Sequence, residues 1–179
     1  MKALFLDRDG VINEDFKYVH KINNFKFKSG IFDLCRVANV RGYLVFIITN
    51  QAGIARGYYT ERDFIKITKW MLNEFWRKEC NISRVYYCPY HPDIGNSIYK
   101  RNSSFRKPNP GMILKAAKRF SIDLENSILV GDQNSDVQAG LNAGIRKNFL
   151  LLDRNRTNLK PHPLATIIRD LKEVIPFLV

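Results

Sequence analysis

Ala3-Leu4-Phe5-Leu6-Asp7-Arg8-Asp9-Gly10-Val11 is the stretch on which the fold turns. Four consecutive apolar residues without polar alternation suit a strand buried on both faces of a parallel sheet, and Asp7 then marks its carboxyl end. Gly10 permits a sharp turn just beyond. The apolar run is far too short for a signal peptide or a membrane span, so a cytoplasmic protein without membrane association is expected.

Working outward, a helical pattern opens at Ser29-Gly30 and stops at Gly42, a good residue for the position past a helix end. A strand over 44–48 delivers Thr49-Asn50-Gln51 into a loop with Gly53 and Gly57. Thr60 can cap a long helix whose apolar positions Phe64, Ile67, Met71, Leu72, Phe75 and Trp76 recur at three-to-four spacing. A third strand is expected over 85–88, followed by a loop of about twenty residues, long enough to suspect a function. Asn109-Pro110 predicts a helix with proline in its first position and Ile113, Ala116, Ala117 and Phe120 on its inner face. Then come a strand over 127–130 ending in Gly131-Asp132, a helix over 136–143 closed by Gly144, a strand over 148–152 and a last helix over 164–174. Strands alternating with helices predict an α/β fold, a doubly wound parallel sheet of Rossmann-like type with right-handed crossovers. One domain is expected over 1–179, with a flap at about 11–29 and a long loop at about 89–107. Ligands of such sheets sit at the carboxyl ends of the strands, where Asp7, Thr49 and Asp132 all fall.

The composition is that of a globular protein without repeats or low-complexity segments. A net charge of +12 favours anionic partners, phosphorylated metabolites or nucleic acid, without choosing between them. Cys35, Cys80 and Cys88 are odd in number and widely spaced, which predicts reduced thiols.

Two carboxylates two residues apart, just past a strand, can face one crevice. One, Asp7, can attack phosphorus to give an acyl phosphate. The other, Asp9, can protonate the leaving oxygen and later take a proton from water. An anionic nucleophile meeting a phosphate dianion needs a hard cation, and Mg²⁺ would be satisfied by Asp7, Asp132 and a main-chain carbonyl near Asp9. Asp136, one helical turn on from Asp132, can orient the metal's water shell or pair with Lys107. Thr49, the N–H groups after it and Lys107 can stabilise the transferring phosphoryl group. Arg106 adds a planar fork suited to a phosphate or a sugar hydroxyl. Each piece alone also reads as a turn or a solvated charge; their order along successive strand ends gives them weight.

These residues resemble the motifs of the haloacid dehalogenase superfamily of phosphotransferases, which run Asp-x-Asp, Thr or Ser, Lys, then an acidic pair. Here they are Asp7-x-Asp9, Thr49, Lys107 and Asp132-x3-Asp136. The match covers about the first 150 residues. Within the superfamily the chain is similar to the heptose 1,7-bisphosphate 7-phosphatase branch, through Asp7-Arg8-Asp9-Gly10-Val11-Ile12-Asn13, Asp15-x2-Tyr18-Val19 and Thr49-Asn50-Gln51-x-Gly53-Ile54-Ala55-Arg56-Gly57. Cys88-Pro89-x-His91-Pro92 and Arg106-Lys107-Pro108 continue it. The resemblance implies a capless core in which Asp7 is the nucleophile, Asp9 the general acid and base, and Thr49 and Lys107 the phosphoryl stabilisers. It places Mg²⁺ on Asp7, Asp9 and Asp132, and substrate contacts on Asp15, Tyr18, Asn50, Gln51 and Arg106.

Two departures stand out. Members of this branch commonly hold a structural zinc in the loop before the lysine, but Tyr90, Ser103 and Phe105 occupy ligand positions and Cys88 alone is kept. Four good donors are needed, so no structural zinc is expected, with Tyr90, Tyr99 and Phe105 expected to hold the loop instead. Gln133 stands where a lysine is common, and Lys17 or Arg56 is expected to supply the missing positive charge near the substrate. The leading expectation is a monomeric enzyme acting on a small phosphorylated sugar. Histidinol phosphate, a polynucleotide 3′-phosphate and, least favoured, a non-enzymatic polyanion-binding module stay open.

Overall fold

A computed structural model describes residues 1–152 and 160–179. Among these residues six parallel strands form one sheet: β1 (Ala3–Leu6), β2 (Leu44–Asn50), β3 (Ile82–Cys88), β4 (Ile128–Gly131), β5 (Lys147–Leu151) and β6 (Thr166–Ile168), in the order β3-β2-β1-β4-β5-β6. Side chains of β1 alternate between two apolar layers. Leu4 and Leu6 join a cluster with Val45, Ile47, Ile128 and Val130, while Ala3 and Phe5 join another with Phe46, Ile48 and Leu129. Burial on both faces is why this strand reads as an unbroken apolar run.

Helices α1 (Ile31–Val40) and α3 (Glu61–Arg77) cover the first layer, and α4 (Gly111–Phe120) and α5 (Asn134–Ala143) the second. Helix α3 begins as its sequence implies: Thr60 Oγ1 accepts from the Asp63 N–H at 3.2 Å, and the Asp63 carboxylate accepts from the Thr60 N–H at 2.9 Å. Its inner face carries Phe64, Ile67, Met71 and Phe75, but Trp76 points to solvent at 76% exposure. A short helix α2 (Ala52–Ala55) replaces the expected glycine loop after β2, and α4 starts at Gly111 with Pro110 as its cap.

The last expected helix is wrong. Residues Thr166–Ile168 pair with β5 as a sixth strand, and Leu171–Phe177 form a 3₁₀ helix capped by Asp170. Leu164 and Ile167, both within the expected helix, are exposed. The β-branched run Thr166-Ile167-Ile168 carries the competing preference, and an available sheet edge decides in its favour.

The chain runs β1, β2, β3 to one side and returns to place β4 on the other side of β1. The winding therefore reverses between β1 and β4, the point at which open α/β sheets form their crevice.

Candidate active site

Asp7 follows β1 and Asp132 follows β4, so both stand beside the reversal point. The Asp7 N–H donates to Val130 O at 3.0 Å, locking the two strand ends together. Beyond Asp7 the chain turns tightly, with the Ile12 and Asn13 N–H groups on Arg8 O and the Gly10 N–H on Asn13 O. Gly10 has φ +94°, and a Cβ there would lie 2.3 Å from Asp132 Oδ2, so only glycine lets this turn close against β4.

Lys107 enters from the long loop. Its ammonium donates to Asp7 Oδ1 at 2.7 Å, meets Asp136 Oδ1 at 2.6 Å and donates to Ile48 O at 3.0 Å, all buried. Asn50 at the end of β2 holds the lysine backbone twice: its Oδ1 accepts from the Lys107 N–H and its Nδ2 donates to Lys107 O, both at 3.1 Å. Burial alone would lower the Lys107 pKa, but Asp136 and Asp7 outweigh it and hold the ammonium firmly charged. Asp7 is pushed well up by burial; Lys107 pulls it down, and Asp136 and Asp132 raise it further.

Asp136 is committed twice over, since its Oδ2 also accepts from the Asp132 and Gln133 N–H groups at 3.1 and 2.9 Å. Among the described residues, Asp7, Asp132 and Asp136 bring carboxylate oxygens within 4.8 Å of one another. An all-oxygen donor set fits a hard cation such as Mg²⁺.

The Asp9 carboxylate stands apart from that trio. Oδ1 accepts from Arg8 Nη2 at 2.7 Å and Asn13 Nδ2 at 3.0 Å, and Oδ2 accepts from Gln51 Nε2 at 3.1 Å. Sequence reasoning gave Arg8 and Asn13 no role. Arg8, only 1% exposed, also donates to Val19 O at 2.6 Å, tying the flap to the turn. An arginine between two aspartates reads as a surface charge, and nothing in the chain signals its burial.

Asp7, Asp9, Thr49, Lys107 and Asp132 line one cleft of about 170 Å³, together with Asp15, Asn50, Gln133, Ser135 and Asp136. Of the residues expected to touch substrate, Asp15 and Asn50 are in its wall. Gln51 is buried behind it, and Tyr18, Arg56 and Arg106 lie outside. The Arg56 guanidinium sits 5.9 Å from the Tyr18 ring centre, and Arg106 donates to Tyr90 O at 3.1 Å. Lys17 is likewise absent from the cleft wall; Gln133 donates to Asp132 Oδ2 at 3.0 Å.

The long loop is held by a carboxylate. Glu61, first residue of α3, accepts from the Tyr87 hydroxyl at 2.5 Å and the Tyr99 hydroxyl at 2.9 Å, joining helix, strand and loop. Tyr90 and Tyr99 stand with ring centres 6.3 Å apart and Arg101 lies 3.8 Å from the Tyr90 ring centre, but Phe105 packs into the core layer under α4 instead of with the tyrosines. Glu61→Ala should lower the unfolding free energy by about 1–3 kcal/mol, with proteolysis hastened within 89–107. An unchanged denaturant midpoint and cleavage pattern would mean the loop is held elsewhere.

A model of the HAD-hydrolase-like family matches residues 104–174. Over 177 residues the chain is 50% identical to the D-glycero-alpha-D-manno-heptose-1,7-bisphosphate 7-phosphatase of Burkholderia mallei, covering 99% of this chain and 93% of the relative. The chain belongs to the heptose-1,7-bisphosphate 7-phosphatase family of HAD-like hydrolases. Within that family, a Helicobacter pylori enzyme named for the beta anomer is 41% identical over 178 residues, covering 99% of this chain and 97% of the relative. The D,D-heptose 1,7-bisphosphate phosphatase of B. bronchiseptica, solved with magnesium and phosphate, superposes with a TM-score of 0.85 at 27% identity, over 99% of this chain and 98% of that one. As a member of this phosphatase family the chain is a phosphoric monoester hydrolase. Among its described residues no helix is long and apolar enough to cross a membrane.

Proposed function

We propose that this protein removes the 7-phosphate of D-glycero-D-manno-heptose 1,7-bisphosphate, a step towards bacterial surface-polysaccharide precursors, using Mg²⁺ and an aspartyl-phosphate intermediate on Asp7. The observation that carries the reading is a buried Asp7 fixed by Lys107 at 2.7 Å in a cleft that Asp9, Thr49 and Asp132 also line. A cleft of about 170 Å³ accommodates a phosphoryl group and the carbon bearing it, which suits a small sugar phosphate.

Asp7 and Asp132 would hold Mg²⁺, with Asp136 fixed behind them by Lys107 and two N–H groups. Because the Asp9 carboxylate is committed to Arg8, Asn13 and Gln51, any share of Asp9 in that site falls to its main-chain oxygen. Bound there, the cation supplies positive charge between the carboxylates and the phosphate dianion.

An Asp7 carboxylate oxygen attacks phosphorus while the bond from phosphorus to the sugar oxygen breaks, and Asp9 gives that oxygen its proton. Water then attacks the phosphoryl-aspartate, Asp9 takes the proton back, and inorganic phosphate leaves with Asp7 restored. Lys107 and the Thr49 hydroxyl balance charge on the phosphoryl oxygens. Asn50 serves this step by holding the Lys107 backbone.

With Mg²⁺ present, kcat/KM for the heptose bisphosphate should exceed that for histidinol phosphate and 3′-phosphorylated DNA by about a hundredfold or more. Both anomers belong in the comparison. Stripping divalent cations should abolish turnover, and Mg²⁺ should restore it. Another substrate ahead of both anomers would replace the substrate assignment, and turnover undiminished by chelation would remove the metal from the reading.

A further inference from the structure

Tyr59 lies behind the cleft at 6% exposure, and its hydroxyl donates to Gln51 Oε1 at 2.5 Å. Gln51 Nε2 donates to Asp9 Oδ2 at 3.1 Å and to Thr49 Oγ1 at 2.7 Å. The proton order along this chain is forced from one end. As the base that takes a proton from water, Asp9 is an ionised carboxylate with none to give, so in that step the Gln51 atom facing it is the NH₂, matching the Nε2–Oδ2 hydrogen bond at 3.1 Å. The amide oxygen then faces Tyr59, and Tyr59 must be the donor. Both amide hydrogens are spent, one on Asp9 and one on Thr49. Thr49 thus receives a hydrogen bond at its oxygen and keeps its own hydrogen for a different acceptor. Its place in the cleft wall makes a phosphoryl oxygen that acceptor.

The geometry points to Tyr59 as a positioning residue: through Gln51 it fixes the Asp9 carboxylate and turns the Thr49 hydroxyl hydrogen towards the transferring phosphoryl group. The inference rests on the proposed roles of Asp9 and Thr49. In the hydrolytic step, where Asp9 is the base, a reversed Gln51 amide would set its oxygen against the ionised carboxylate, lone pair to lone pair, and the Tyr59 hydroxyl favours the productive orientation by binding the amide oxygen. The ring is seated firmly enough to do so. His20 stacks on it with centroids 4.9 Å apart and planes 12° from parallel. On Gly53 a Cβ would lie 2.2 Å from the Tyr59 ring, so the glycine is what gives the ring its place.

The test is a double-mutant cycle on kcat and KM with heptose bisphosphate and Mg²⁺, every variant checked for a wild-type melting profile. Tyr59→Phe keeps the ring and deletes the hydroxyl. It should lower kcat about tenfold, with KM within about twofold, and cost less than about twofold when added to Gln51→Leu. An equal loss with and without Gln51, an unchanged kcat, or a loss confined to KM overturns the inference. A second arm leaves Tyr59 intact: Gln51→Glu puts an acceptor against Asp9 and should lose at least as much kcat as Gln51→Leu, whereas wild-type kcat in Gln51→Glu also overturns it. Asp9→Asn separates the two levels. An inactive Asp9→Asn with an additive cycle removes only Tyr59's role, and a nearly active Asp9→Asn removes the reading beneath it.

Discussion

Asp7→Asn should give a folded protein without measurable turnover. An amide is a poor nucleophile towards phosphorus and a weaker ligand for a hard cation, so both tasks proposed for Asp7 fail together. The fold should survive for an electrostatic reason. Burial of the Asp7 charge is its largest cost and repulsion from Asp136 and Asp132 adds to it, so a neutral amide there relieves both. Lys107 loses one partner but keeps Asp136 and Ile48 O, so its charge is not stranded. The measurements are kcat with Mg²⁺ and the melting temperature without it, the latter expected to hold or rise. Undiminished turnover would end the covalent mechanism, and collapse of the fold would mean that the Asp7–Lys107 pair, rather than relief of repulsion, governs stability here.

Asp9→Asn should cost a factor of roughly 10² to 10⁴ in kcat. The amide cannot pass a proton, and its NH₂ must also face one of three donors, Arg8, Asn13 or Gln51, that now converge on a carboxylate. The loss should depend on the leaving group. A sugar alkoxide needs its proton as the bond to phosphorus breaks, whereas an aryl oxide such as para-nitrophenolate leaves without one. The variant should therefore phosphorylate Asp7 much faster with the aryl ester than with the sugar phosphate, then stall, giving a burst of nitrophenol followed by slow release of phosphate. A uniform loss below about tenfold for both substrates would assign proton transfer to another group.

Much of this architecture is legible in the chain because parallel strands buried on both faces leave continuous apolar runs, as in Ala3–Leu6 and Ile128–Gly131. Asp7, Thr49 and Asp132 could be placed because each sits at the end of such a run. Lys107 was legible from its motif, but its grip on Asp7, 100 residues away, was not. Strand β6 escaped because its three residues carry too little pattern to stand out within the stretch 164–174 expected to be helical. Arg8, Asn13 and Tyr59 escaped for a different reason. Their importance lies in which polar atom each side chain meets, and hydrogen-bond partners brought together by folding leave no periodicity to read. Gln51 was singled out as a substrate contact, yet its two amide hydrogens are both directed at neighbouring side chains.

The Lys107 ammonium has a consequence for the valence of any guest in the buried centre. Three carboxylates and one ammonium meet there, leaving two negative charges unbalanced. A doubly charged ion matches that formal charge before the phosphate arrives. Burial is the main reason the Asp7 carboxyl is pushed up, and repulsion from Asp136 and Asp132 adds to it against the pull of Lys107. By offsetting one unit of the carboxylates' charge, Lys107 lowers the formal positive charge they would otherwise call for from three to two.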